Sequence, residues 1–148
     1  MIIETLTSLF IRDLNKLKTE IELYRHEDKI WVYEQQILNS AGNLCLHLVG
    51  NLNNYIGAGL AKTNYVRQRD LEFSQKNIPK AQLITMINQT VPVVTAGLNS
   101  LSETDLGGDF PMLIWENKTG MVYTLTHLLT HLNYHLGQIN YHRRLLDV

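Results

Sequence analysis

From Leu6 onward the apolar residues return at steps of three and four: Leu6, Phe10, Leu14, Leu17, Ile21 and Tyr24, with Arg12, Asp13, Lys16 and Lys18 between them. Only a helix turns such a series to one side, so the spacing predicts an amphipathic helix over roughly residues 2–25. The same period recurs in three later segments, and no run alternates in steps of two for long enough to build a sheet. No internal repeat or low-complexity tract interrupts the pattern. A chain of 148 residues can bury one sizeable core, so the expected fold is all-α, a four-helix bundle with long inter-helix loops in a single domain, 1–148.

The boundaries are written in capping residues. Asn39 and Ser40 are good N-caps, and from Ser40 to about Ala61 one face carries Ala41, Leu44, Leu48, Leu52, Tyr55 and Ile56. Asn43, His47, Asn51 and Asn54 form the neighbouring strip, while Gly50, Gly57 and Gly59 weaken this helix. The segment "KTNYVRQRDLEFSQKN" is charged and without period, and Pro79 then opens a third helix with Leu83, Ile87, Val91, Val94, Leu98 and Leu101 on one face. Pro92 inside it removes a backbone hydrogen bond and predicts a kink. "SETDLGGDFPMLIWENKTG" reads as a long loop with a short extended piece at Met112 to Trp115, before a last helix that starts near Thr119 or Gly120. Loops this long leave the order of the helices in space open.

Charge narrows the function. With 13 basic and 14 acidic residues and a pI near 6.6, nothing draws the chain to phosphate backbones or anionic lipid, so neither nucleic acid nor membrane is an expected partner. A single cysteine, Cys45, excludes an internal disulfide framework and suits the cytoplasm. The N-terminus has no basic start ahead of an apolar run, so it reads as neither signal peptide nor membrane span.

The last predicted helix holds four of the six histidines. At about 100° per residue, with His127 at zero, His131 falls near 40°, His135 near 80° and His142 near 60°. All four share a strip bordering the apolar face of Met121, Leu128, Leu132, Leu136 and Ile139. They cannot share one ion, because His127 and His135 are about 12 Å apart along the axis. Only an i, i+4 pair can chelate, and His131 with His135 lies nearer the core than His127 with His131. A transition-metal site open to substrate takes three protein ligands, so a third must come from elsewhere. His47, in the middle of the second helix, is better placed for that than His26 at the end of the first. The spacing also admits a plainer reading, a polar border of solvated histidines.

Other candidates are weaker. Cys45 faces away from His47 on the wheel and reads as a buried structural thiol. Asp70 and Glu72 could supply a carboxylate for acid or base work, but a solvated charged loop is the expected setting. Asn43, Asn51 and Gln138 are placed to orient ligands or a bound water. Trp31 and Trp115 are expected at the bundle ends, and Tyr134 and Tyr141 on the surface.

The segment "HLLTHLNYHLGQI" resembles the last helix of the DinB/YfiT-like superfamily of metal-dependent proteins, and "NLCLHLVGNLNNYIGAGL" is similar to its second helix. "NYVRQRDLEF" is similar to the connector of one uncharacterised subgroup. The resemblance covers nearly the whole chain and implies a four-helix bundle, often a homodimer, that binds one divalent metal through His47, His131 and His135. His127 matches a motif histidine that is not a ligand, and His142 lies beyond the motif. Superfamily activities imply a metal-dependent transferase or hydrolase acting on a small molecule, a low-molecular-weight thiol S-transferase among them. Three imidazoles suit zinc or nickel first, with iron, manganese or copper as alternatives. A non-catalytic dimerisation or partner-binding protein with a structural or vestigial metal site is the competing expectation.

Overall fold

The computed structural model describes residues 1–148. It is all-helical. Six α-helices follow in order, α1 (Ile2–Glu22), α2 (Ala41–Leu52), α3 (Arg69–Ser74), α4 (Lys80–Asn99), α5 (Glu103–Leu106) and α6 (Met121–Leu146). A 3-10 turn (Glu27–Trp31) follows α1, and a π-helical stretch (Asn53–Ala61) continues α2. No helix is long and apolar enough to cross a membrane.

α1 buries Leu6, Phe10, Leu14, Leu17 and Ile21, the expected face, at 4% exposure or less. It stops at Glu22, short of the expected end. The backbone amides of Arg25 and His26 donate instead to the Asp147 carboxylate at 2.7 and 3.1 Å, and this turns the chain out of the helix. Tyr24 is still buried, at 1% exposure.

Ser40 caps α2 as its residue type suggests, its hydroxyl accepting from the Asn43 amide at 3.1 Å. The expected helix to Ala61 is kept in extent but not in kind, since residues 53–61 widen into π turns and close at Lys62 in the left-handed region, φ 59°. α4 runs on through Pro92. Two expectations are corrected. The charged segment after the π stretch is not wholly irregular but forms α3, and residues 112–115 form bends rather than an extended piece, because they find no partner strand. The single β-bridge in that region pairs Asp109 with Gly120.

α1 packs on α4 and α6, and α2 packs on the same two helices. Their inward faces merge into one cluster of 28 buried apolar residues. Cys45 belongs to it, fully buried, and burial pushes its thiol up to about 12, so it is inert. Tyr134 and Tyr141 stand on the surface, 66% and 64% exposed.

The contact between α4 and the π stretch is close enough to need a glycine. A Cβ at Gly97 would lie 2.5 Å from Ile56 Cγ2 and 2.9 Å from the Ile56 carbonyl oxygen. Helix propensity favours alanine over glycine by about 1 kcal/mol, but overpacking a rigid contact costs about 1–3 kcal/mol, and a backbone oxygen cannot rotate away. Gly97→Ala is therefore expected to destabilise the chain by about 1–2 kcal/mol in urea unfolding. A gain in stability would mean that the two segments are not held this tightly.

Candidate metal centre

α2 and α6 bring three imidazoles together. His47 lies in the middle of α2, 7% exposed, and faces His131 and His135, which are one turn apart on α6. One ring nitrogen from each can be chosen so that all three lie within 4.8 Å of one another. The Nε2 atoms of His47 and His131 are 3.1 Å apart. Two nitrogens each about 2.0–2.1 Å from one tetrahedral ion stand roughly 3.3 Å apart, so this spacing suits a shared ion.

The hydrogen bonds set the tautomers. His47 donates its Nδ1–H to Glu72 Oε1 at 3.0 Å, and His135 donates its Nδ1–H to Gln138 Oε1 at 2.6 Å. Both rings therefore carry a lone pair on Nε2. His131 Nδ1 is buried without a partner in the protein. A cluster with two aimed lone pairs and an unsatisfied third imidazole is suited to a cation and poorly suited to standing alone.

Electrostatics agrees. Burial, then the neighbouring charges of His135, His47, His127 and Arg67, push His131 down to about 3. Burial also lowers His135, against the hydrogen bond that its Nδ1–H donates to Gln138. Both rings are neutral at physiological pH, the form that ligates metal.

The remaining histidines part company with this group. His127 stacks on His131 with ring centroids 6.1 Å apart and rests edge-on against Trp115 at 4.5 Å. Trp115 is 39% exposed, whereas Trp31 sits in the core. His142 does not lie on the half-exposed strip that the wheel drew. It is 3% exposed, accepts the Tyr24 hydroxyl on Nδ1 at 2.7 Å and donates Nε2–H to the Val32 carbonyl at 2.6 Å. His26 pairs with Asp147 at the end of α1.

The expected solvated loop is wrong for Glu72. α3 places it at 6% exposure beneath His47, while Asp70 stays exposed. Burial alone would raise the Glu72 carboxyl, but the hydrogen bonds and charges of His47 and Arg67 outweigh it and hold the group below the ordinary carboxylate range. Arg67 grips both carboxylate oxygens, Nε to Oε2 at 2.9 Å and Nη2 to Oε1 at 3.0 Å. Sequence reasoning missed Arg67 altogether; an arginine five residues ahead of a glutamate is the faint signal it left.

Asn43 does not touch the imidazoles. Its Nδ2 donates to the carbonyls of Glu72 and Gln75, both at 2.9 Å, and so fastens α3 onto α2. Asn51 is 7% exposed, with its Oδ1 unpartnered. Of the three polar residues expected near the ligands, Gln138 is the one bonded to a ligand candidate.

Fold and site together define an all-helical protein with a three-histidine cluster that could hold a metal ion. The chain belongs to the family described as a protein of unknown function, DUF1572, whose model matches residues 7–147. No functionally curated protein matches it.

Proposed function

We propose that this chain is a four-helix bundle of the DinB/YfiT-like kind that binds one divalent transition metal, zinc or nickel first, through His47, His131 and His135. In this reading it is a cytoplasmic homodimer that catalyses S-transfer or hydrolysis on a small molecule. The observation that carries the reading is the convergence of three imidazoles from two helices, with ligand atoms within 4.8 Å and two lone pairs fixed by Glu72 and Gln138. When bound, such an ion lowers the pKa of a water or thiol at its open position, so that a nucleophile exists at neutral pH.

The protein's own residues favour the thiol. The nearest carboxylate, Glu72, is fully engaged by Arg67 and His47, so no free general base stands beside the histidines. A thiol needs far less help than water to lose its proton. A cavity of about 650 Å³, lined by Leu38, Leu44, Tyr134, Gln138, Tyr141 and His142, could take a substrate body, although none of the three clustered histidines lines it. Gln138 joins the two, because it reaches His135 from the cavity wall.

The same lack of a free base supports a second reading, a structural or vestigial metal site in a non-catalytic partner-binding bundle. Elemental analysis of untagged, chelator-free protein beside His131→Ala and His135→Ala tests the common part. About one equivalent of metal, lost in both variants, is expected. Cobalt-substituted protein then separates the readings: a visible spectrum that changes on adding azide or a small thiol marks an open position, and an unresponsive one leaves the structural site. Absence of metal even after zinc or nickel is offered would sink the metalloenzyme reading and leave a vestigial cluster in a partner-binding bundle.

A further inference from the structure

We infer that Glu72 and Arg67 are positioning residues for His47: the connector of residues 62–75, rather than α2 itself, decides which nitrogen of His47 is offered to a metal. The inference rests on the metal reading above and adds to it the part that governs the ligand.

His47 and His131 face each other through their Nε2 atoms at 3.1 Å, and that hydrogen bond can run either way. If His47 carries its proton on Nε2, it donates to His131, and its lone pair sits on Nδ1, turned toward Glu72 and away from the other two imidazoles. If it carries the proton on Nδ1, Nε2 is free. The group that chooses is Glu72, which accepts from Nδ1 at 3.0 Å and, as a carboxylate, has no proton to offer in return; Arg67 Nη2, which can only donate, stands farther from the same nitrogen at 3.4 Å and spends its hydrogens on Glu72. Such a carboxylate fixes the tautomer and raises the basicity of the ligating nitrogen.

Three features hold the carboxylate there. Arg67 binds both of its oxygens, which prevents rotation. Asn43 secures the backbone carbonyl of Glu72 itself. Gly50, one turn beyond His47 on α2, leaves the space the carboxylate occupies, since a Cβ there would lie 2.6 Å from Glu72 Cδ. The ring of Phe73, 5.0 Å from that of His47, packs against the same imidazole. No other residue of α2 touches His47 Nδ1, so without the connector the choice of tautomer is open.

The test compares the full-length chain with Glu72→Ala, Glu72→Gln and Gly50→Ala. Long-range proton–nitrogen spectra of the metal-free, histidine-labelled proteins report the His47 tautomer, and zinc competition against a chromophoric chelator reports affinity. Wild type is expected to show His47 protonated on Nδ1. Glu72→Ala and Gly50→Ala are expected to populate the Nε2–H form and to bind zinc about 10–100-fold more weakly. Glu72→Gln, whose amide oxygen still accepts from Nδ1, is expected to keep the tautomer and lose less. Should Glu72→Ala fail to fold, Gly50→Ala and Glu72→Gln still decide. An unchanged tautomer and unchanged affinity in Gly50→Ala and in Glu72→Ala would overturn the inference and leave Glu72 as a tether for α3. If wild type takes up no zinc, the metal reading fails, but the tautomer comparison still accepts or rejects the role of Glu72.

Discussion

Zinc at a hundred times its dissociation constant is expected to raise the melting temperature of the chain by roughly 5–10 °C, and His131→Leu to abolish that rise while making the metal-free chain more stable. The first effect is linkage: an ion that binds only the folded state adds about 2.7 kcal/mol at that concentration, worth a few degrees per kcal/mol in a domain of this size. The second follows from the cost of the empty cluster. His131 is half-buried, is held neutral by its surroundings and has a buried Nδ1 without a partner. Leaving a buried polar atom unsatisfied costs about 1–3 kcal/mol, and a leucine here would instead extend the apolar surface of Leu128 and Leu132. His131→Leu is therefore expected to gain about 1 kcal/mol in stripped protein. Melting of chelator-treated samples with and without zinc measures both. A zinc-dependent rise that survives in His131→Leu would remove His131 from the site, and a loss of metal-free stability would show that the imidazole is a packing residue.

What the sequence disclosed and what it hid divide along the range of the interactions. The faces of α1 and α6 were legible because helical burial is decided by neighbours three and four residues away, whereas α2, expected to bury one face, is buried all round. The i, i+4 pair His131 and His135 was legible for the same reason, and Ser40 because a cap bonds three residues ahead. Glu72 was not. Its surroundings, "RQRDLEF", have no apolar period, and its burial comes from His47 and Asn43, 25 and 29 residues away. His142 misled for a related reason. It shares a wheel angle with the clustered histidines, but a 26-residue helix meets different neighbours along its length. At the level of His135 the strip faces α2, and at His142 it faces Tyr24 and Val32. The π turns of residues 53–61 were equally hidden, since glycines announce a weakened helix without saying how it will widen.

Acid is expected to unfold the metal-free chain well above the carboxylate range, with stability falling from about pH 6.5 downward. His131 is pushed down to about 3 from an ordinary 6.5, and His127, His135 and His142 are lowered as well, each first by burial. In the unfolded chain these rings take up protons near 6.5; in the folded chain they refuse them. The unfolded state therefore binds more protons as the pH drops, so stability falls on acidification, by at most about 1.4 kcal/mol per pH unit for each refusing ring. Solvent reaching the rim of the cluster reduces that figure. The surroundings of His131 supply no relief, because the charges of its neighbours, His135 first, all push its pKa in the same direction. His142 reinforces the trend because its burial disfavours the protonated ring. Glu72 acts in the same sense at lower pH. Its carboxyl is held below the ordinary 4.5, so the stability it contributes is present above that value and is lost as the pH falls through its folded pKa. Urea unfolding of chelator-treated protein at half-unit steps from pH 7 to 4.5 measures the slope. His131→Leu should flatten it by the share of one ring, and zinc should shield the three ligands while leaving the His142 contribution in place. A profile level from pH 7 to 5 in the metal-free wild type would mean that these imidazoles accept protons in the folded state, and hence that they are open to solvent rather than gathered around a site.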